Sequence, residues 1–318
     1  MSMSPQEIFE VASPAISDPD ATEQRTGGGG GGNEPISRGR LILKRFLRQK
    51  SGLLALLVLV LIFLLAYVGP FFTQWKYDDF DQANILASPG GTHFFGVDEV
   101  GRDVYARTLK GLQKSLVIGL VAALVTTSIA AIAGSLAGYF GRYIDLSVVW
   151  VIDLLLVLPG FLILAILSPV LSGKSWLWLV LLLSLFGWMV TGRVVRGMAM
   201  SLRERDYVHA ARFMGVPPMT IIRRHLLPNM ASLLIVDVTI NVGGIILAET
   251  GLSFFGFGVQ PPDVSLGTVL ADAQPLATTY PHVFMWGAGL LVLTVLCVSV
   301  IGDALRDAID PSSGSSRL

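Results

Sequence analysis

The chain has 318 residues, of which 53% are hydrophobic and only 14% charged, and the apolar residues run in long blocks. That composition excludes an ordinary soluble domain, whose helices need a polar face, and fits a membrane protein. Lys plus Arg and Asp plus Glu balance at 23 each, so net charge points to no partner class, nucleic acid included.

Residues 1–37 read as a disordered tail, with few large apolar residues and six consecutive glycines, Gly27 to Gly32, that cannot offset the entropy of ordering. No apolar core precedes Leu41, so no cleavable signal peptide is expected and the first span acts as signal and anchor. Arg38 to Lys50 is basic and predicts an interfacial helix whose cations meet lipid headgroups. Six blocks then come near the ~20 residues a bilayer requires. They run from Gly52 to Phe72, Ser115 to Tyr139, Leu146 to Val170, Trp176 to Gly192, Ala231 to Leu252 and Val283 to Ile301. An all-α integral membrane fold of about six transmembrane helices follows.

Basic residues crowd the first flank and the loop after the fourth block, where Arg193, Arg196, Arg203, Arg205, Arg212, Arg223 and Arg224 lie. The positive-inside rule makes both regions cytoplasmic, with both termini inside. Residues 38–114 then hold the basic segment, the first helix and a long extracytoplasmic loop, Thr73 to Lys114. That loop is too long and too patterned for a simple connector; Gly96 and Gly101 suit tight turns, and Asp98 and Asp103 suit helix caps. In the second block Ala130, Gly134 and Gly138 mark a small-residue face for close helix packing, inside the subunit or against a sister subunit.

Ionisable groups inside spans are costly and tend to serve a purpose. Asp153, Asp237 and Glu249 qualify, and Asn241 shares a helix face with Asp237. Two readings stay open: a solvated translocation path or gate, and a polar staple between helices. Gly173-Lys174-Ser175 copies the end of a phosphate loop, but Ser168 stands where its first glycine belongs, so the chain is not expected to hydrolyse ATP. His93, His209, His225 and His282 fall on separate expected loops without metal-ligand spacing, and a lone loop histidine is usually solvated. No serine stands in a nucleophile elbow, and Cys297 is alone in the last block, so no cofactor, metal or disulfide is expected in this chain.

The loop at 203–229 contains DYVHAARFMGVPPMTIIRRHLLPN, a polar, helix-prone stretch between apolar segments. Small residues Ala210 and Ala211 let a short helix lie close against a partner, and Gly215 with Pro217 and Pro218 ends that helix and turns the chain. The stretch resembles the cytoplasmic coupling loop of binding-protein-dependent ABC importer permeases. THFFGVDEVGRDVYAR, with His93, Gly96, Asp98, Glu99, Gly101, Arg102, Asp103 and Arg107, resembles the outer-face segment of the C-type permeases of oligopeptide and dipeptide importers. ILAETGLSFFGFGVQPPDVSLG, Ile246 to Gly267, and the ending GDALRDAIDP, Gly302 to Pro311, are similar to further signatures of that family. The resemblance runs from Arg45 to Pro311.

It implies a type I ABC importer fold with its transmembrane domain at 115–303 and a cytoplasmic tail at 304–318. The implied complex lies in the plasma membrane and pairs this chain with a homologous B-type permease. ABC ATPase subunits bind ATP and magnesium below, and an extracytoplasmic peptide-binding lipoprotein delivers oligopeptides above. ATPase coupling falls on Arg205, Asp206, Tyr207, His209, Ala210, Ala211, Gly215, His225 and Pro228. The sequence departs from the family's usual residues at His209, Gln113 and Trp150, so charge-based roles there do not carry over, and it has Leu266 where the family usually has tryptophan. A rival class, an ion-coupled secondary transporter using Asp153, Asp237 and Glu249, commonly has inverted repeats and paired broken helices, which this sequence does not show, and gives the docking loop no role; a membrane scaffold without transport activity explains the docking loop but leaves the polar groups in the spans without need.

Overall fold

The computed structural model describes residues 38–167 and 175–309, so the glycine-rich tail and the Gly173-Lys174 pair lie outside the described residues. It is helical throughout; the only strand-like pairings among the described residues are isolated bridges, Phe80 with Arg102 and Val97 with Asp103. Helix α1 spans Arg38–Phe46, and α2 spans Lys50–Val68. A unit beginning at Leu41 contains all the helices after α1. Helix α2 is apolar on every side and ends where Pro70 enters a short 3₁₀ turn, Gly69–Phe72.

Helix α3, Val104–Phe140, is the central rod. It starts eleven residues earlier than the second apolar block suggests, because Asp103 caps it, its carboxylate accepting from the Ala106 N–H at 2.7 Å. The last part of the expected outer loop is therefore helix. The helices α4 Arg142–Val157, α5 Gly160–Leu167, α6 Leu177–Gly187 and α7 Met189–Arg203 follow, then α8 Asp206–Phe213, α9 Pro218–Ile221, α10 Leu227–Phe254, α11 Leu266–Ala273 and α12 Pro281–Ile309. Against α3 pack α2, α4, α6, α7, α10, α11 and α12. Its small-residue face meets α7 within this subunit. A Cβ at Gly134 would lie 2.7 Å from the Gly192 carbonyl, and one at Gly138 would lie 2.6 Å from Ala199 Cβ.

Four helical runs are long and apolar enough to cross a membrane unbroken: Lys50–Phe72, Val104–Phe140, Pro218–Phe254 and Pro281–Ile309. The third and fourth apolar blocks are not straight spans. Helices α4 and α5 bend by 79°, and α6 and α7 by 51°. At the first break Pro159 forces Leu158 into an extended conformation (ψ 133°), and a new helix starts as the Pro159 carbonyl accepts from Leu162 N–H at 2.9 Å. The second break falls at Trp188, after Gly187 has come within contact of Thr126 on α3.

The stretch expected as one loop at 203–229 also divides. Helix α8 and the turn after it fit the expectation, but residues from Pro218 onward already belong to the fifth span. Proline at the first helical position initiates α9, where its missing N–H costs nothing. A π-turn, Ile222–Leu226, then absorbs the register change before Pro228, and α10 continues to Phe254.

Candidate functional site

The end of the molecule that carries α8 is built around an apolar cluster. Val208 and Ala211 of α8 pack with Ile221, Ile222, Leu226 and Met230 and against Tyr139 of α3 and Val195 and Ala199 of α7. Ala211 is 2% exposed and faces this cluster, so its small size serves packing within the subunit; Ala210 faces outward. Gly215 adopts φ +75°, a left-handed conformation that ends α8 and reverses the chain. The reversal projects Phe213, Met214 and Met219 outward, 91%, 76% and 61% exposed. Three large apolar side chains held out on an ordered turn are costly in water and mark a contact surface.

Around this tip, His209 lies 3.6 Å from Glu204, and Arg212 stacks over the Tyr139 ring at 4.7 Å. Arg203 donates to Glu204 at 2.8 Å, and that bond, together with the positive charge nearby, holds the exposed Glu204 carboxyl below its ordinary range. Asp206 and Tyr207 are exposed; the Tyr207 hydroxyl accepts from Asn229 at 3.4 Å, and Asn229 also donates to the His225 carbonyl at 2.6 Å. His225 sits in the π-turn and Pro228 in the rod beyond it, so these two are farther along the spanning helix than a single loop implies.

The polar groups inside the spans occupy different environments. Asp237 on α10 accepts from Thr127 of α3 at 2.6 Å, Thr191 of α7 at 2.7 Å and Asn241 at 2.9 Å, and so joins three helices. Glu249 is fully buried and accepts from Ser115 at 2.9 Å and Ser253 at 2.6 Å. Asp153 on α4 pairs with Arg193 on α7, and both side chains are about half exposed. Asp145 and Arg196 form a second, more buried pair between the same helices, with a 2.7 Å contact.

At the opposite end, residues between α2 and α3 fold into a hydrogen-bonded cap. His93 is buried, contrary to the solvated state expected of a loop histidine: Nδ1 lies 2.7 Å from Asp103 and Nε2 lies 3.2 Å from Asp81, with Trp75 stacked on the ring. Asp98 accepts from Val100 and Arg102 N–H and pairs with Arg102 and Arg107, so it braces a turn and caps no helix. Gly96 and Gly101 turn the chain at φ +85° and +91° as expected. No group of three or more His, Cys, Asp or Glu able to hold a metal occurs among the described residues.

Sequence reasoning missed Phe213, Met214, Met219, Thr127, Thr191, Ser115 and Ser253, and read Arg193 as a loop cation where it stands on α7 paired with Asp153. A signal existed for the first three, because FMGVPPM places bulky apolar residues beside turn-forming glycine and prolines, where no core can receive them. Ser253 lies one helical turn from Glu249, and the others depend on pairings between residues far apart in the chain.

Fold and site together define a multi-pass helical membrane protein with an ordered apolar tip at one end and polar contacts linking its spans. The chain belongs to the family of binding-protein-dependent transport system inner membrane components, whose model matches residues 130–314. A second model, the N-terminal TM domain of oligopeptide transport permease C, matches residues 37–89. The oligopeptide transport system permease protein OppC of Mycobacterium tuberculosis is 49% identical over 285 residues, which cover 89% of this chain and 98% of that relative. The protein of the same name from Haemophilus influenzae is 36% identical across 84% of this chain and 86% of its own length. That from Bacillus subtilis is 31% identical across 96% and 97%.

Proposed function

We propose that this chain is the C-type permease subunit of an ATP-driven importer that carries oligopeptides or dipeptides across the plasma membrane. A B-type permease encloses the pathway with it, ATPase subunits bind ATP and magnesium on the cytoplasmic side, and a peptide-binding lipoprotein docks outside. Both termini are cytoplasmic. The chain itself performs no hydrolysis.

The observation that carries this reading is the α8 tip. Phe213, Met214 and Met219 are exposed on a turn whose other face is locked into the subunit by Val208 and Ala211. A rigid knob of this kind fits a groove on an ATPase, where fully burying each side chain contributes about 1.5–3 kcal/mol. Because α9, the π-turn and α10 continue directly from the knob, a rigid-body shift of the ATPase reaches the spans without crossing a flexible joint. Arg205, Asp206, Tyr207 and His209 form the polar rim of this contact.

For the pathway itself, Asp153 with Arg193 is the favoured lining pair. Ionisable groups within spans face protein or a water-filled space. This pair is half exposed in the single subunit, whereas Asp237, Asn241 and Glu249 hold helices together.

Affinity purification of the chain from its native membrane, followed by a peptide-stimulated ATPase assay, tests the reading. Recovery of an ATPase and a second permease is expected, and the double variant Phe213→Ala, Met214→Ala loses the ATPase while retaining the permease. A solitary chain with ATP-independent transport overturns the proposal in favour of an ion-coupled carrier.

A further inference from the structure

Between α10 and α11 the connector Phe255 to Ser265 forms one wall of a cleft of roughly 580 Å³, opposite Tyr77, Phe80 and Arg102 of the cap. The connector is long, rich in glycine and proline, and has no regular structure of its own, yet it is held at Val259 and at its junction with α11, Leu266, through one carboxylate. Glu249 accepts from the Ser253 hydroxyl at 2.6 Å, and the Ser253 oxygen in turn accepts from the Val259 N–H at 2.9 Å. The other carboxylate oxygen accepts from the Ser115 hydroxyl at 2.9 Å, and the Ser115 oxygen accepts from the Leu266 N–H at 3.1 Å. Each serine thus donates its single hydroxyl hydrogen bond to the glutamate and accepts one from the backbone, at Val259 in the connector or at Leu266 where α11 begins.

All three side chains are at most 2% exposed. The surrounding backbone leaves no room for slack. A Cβ on Gly258 would fall 2.0 Å from Ser253 Oγ, one on Gly267 would fall 2.6 Å from Ser253 Cβ, and one on Gly111 would fall 2.8 Å from the Ser265 carbonyl carbon. At the rim, Lys114 of α3 holds Asp263 of the connector at 2.8 Å.

We infer that Glu249 is a positioning residue that clasps the connector to α3 and α10, so that the cleft wall moves with the spanning rod. Glu249 lies about 46 Å of helix rise from Pro218 at the tip, on the same continuous run Pro218–Phe254. A displacement at the tip therefore reaches the cleft wall through one helix and one hub. The inference rests on the importer reading for its nucleotide dependence; the clasp itself does not.

The test uses the whole complex in lipid nanodiscs, which leave both membrane faces open to reagent and nucleotide, with Cys297→Ala removing this chain's native thiol and Gln260→Cys as a reporter on the connector. A membrane-impermeant maleimide is applied without nucleotide and with a non-hydrolysable ATP analogue. With Glu249 intact, slow labelling that changes with nucleotide is expected. In Glu249→Ala, nucleotide-free labelling rises about tenfold as the connector opens locally, and the nucleotide dependence disappears. Glu249→Gln, whose amide oxygen still accepts one serine, is intermediate. A second reporter, Arg224→Cys beside the tip, keeps its nucleotide dependence in both variants, which a general loss of folding would not allow.

Where Glu249→Ala fails to insert, Ser253→Ala and Ser115→Ala each release one end and raise Gln260→Cys labelling separately. Labelling and nucleotide response unchanged by Glu249→Ala, or by both serine variants, overturn the clasp. A connector that shows no nucleotide response with Glu249 present overturns the transmission step. Failure of any ATPase to co-purify defeats the importer reading instead, and nucleotide-free labelling of the isolated chain still decides the clasp.

Discussion

Asp237 illustrates how one side chain can hold several helices. It accepts hydrogen bonds from Thr127, Thr191 and Asn241, and removing it leaves three donors without their acceptor. Each such loss costs about 1–3 kcal/mol when the donor stays dry. Asp237→Ala is therefore expected to lower the thermal stability of the purified subunit markedly, measured as the melting temperature in detergent, together with any loss of uptake. Unchanged melting with reduced uptake would place Asp237 on the pathway instead. For Asp153 and Arg193 the expectation is different, because the pair is half exposed and contributes little to folding. Asp153→Arg and Arg193→Asp singly are expected to impair peptide uptake with the complex still assembled, and the double exchange is expected to restore part of it. No recovery in the exchange would show that the two act separately. Both carboxylates were readable as intramembrane charges from the sequence, and so was Asn241 one helical turn from Asp237; Thr127, Thr191 and Arg193 lay 110, 46 and 40 residues from their carboxylates, and those pairings were not.

Among the elements, α8 and its turn depend on Gly215. Its φ of +75° disfavours any Cβ, although nothing stands within 4 Å of where one would be, so strain would arise from the backbone alone. Gly215→Ala is expected to disfavour the tip by about 1–2 kcal/mol, read as roughly a tenfold weaker hold on the ATPase in a titration. The cap between α2 and α3 answers to pH. Asp81 has its carboxyl held below the ordinary value of 3.8, first by the Asn84 side-chain amide and, against the opposing effect of burial, by His93. A depressed native pKa makes the stabilisation complete above that ordinary value and lets it fade as pH falls through the lowered one. Protection of residues 73–103 from hydrogen exchange should hold above pH 3.8 and weaken below it, and Asn84→Ala, which lets the Asp81 carboxyl return towards its ordinary value, should lower the protection above pH 3.8 and shrink its loss below. Helix breaks were only partly legible at this scale: Pro159 announces the bend after α4, whereas the bend at Trp188 follows from how α6 and α7 settle on α3.

At the scale of the whole molecule, the run Pro218–Phe254 is about 55 Å of nearly continuous helix joining the tip to the connector. Its exposed Gly244 has open space around its Cβ position. If the run acts as a lever, Gly244→Ala should stabilise it by about 0.5–1 kcal/mol and leave uptake intact, while Gly244→Pro should abolish uptake with the ATPase still bound. Loss of uptake in the alanine variant would reveal a hinge there. The sequence by itself determined that the chain is helical, membrane-embedded and built around a polar loop between spans, because those properties depend on local composition and on the period of apolar residues. It also determined the turns at Gly96, Gly101 and Gly215, since only glycine adopts such conformations without strain. Tertiary structure alone decided that Ala211 faces inward while Phe213, Met214 and Met219 face out, that His93 is buried between two aspartates, and that Glu249 clasps the connector. Each of those depends on which distant segments α3 brings into contact, and no local pattern in the chain encodes that proximity.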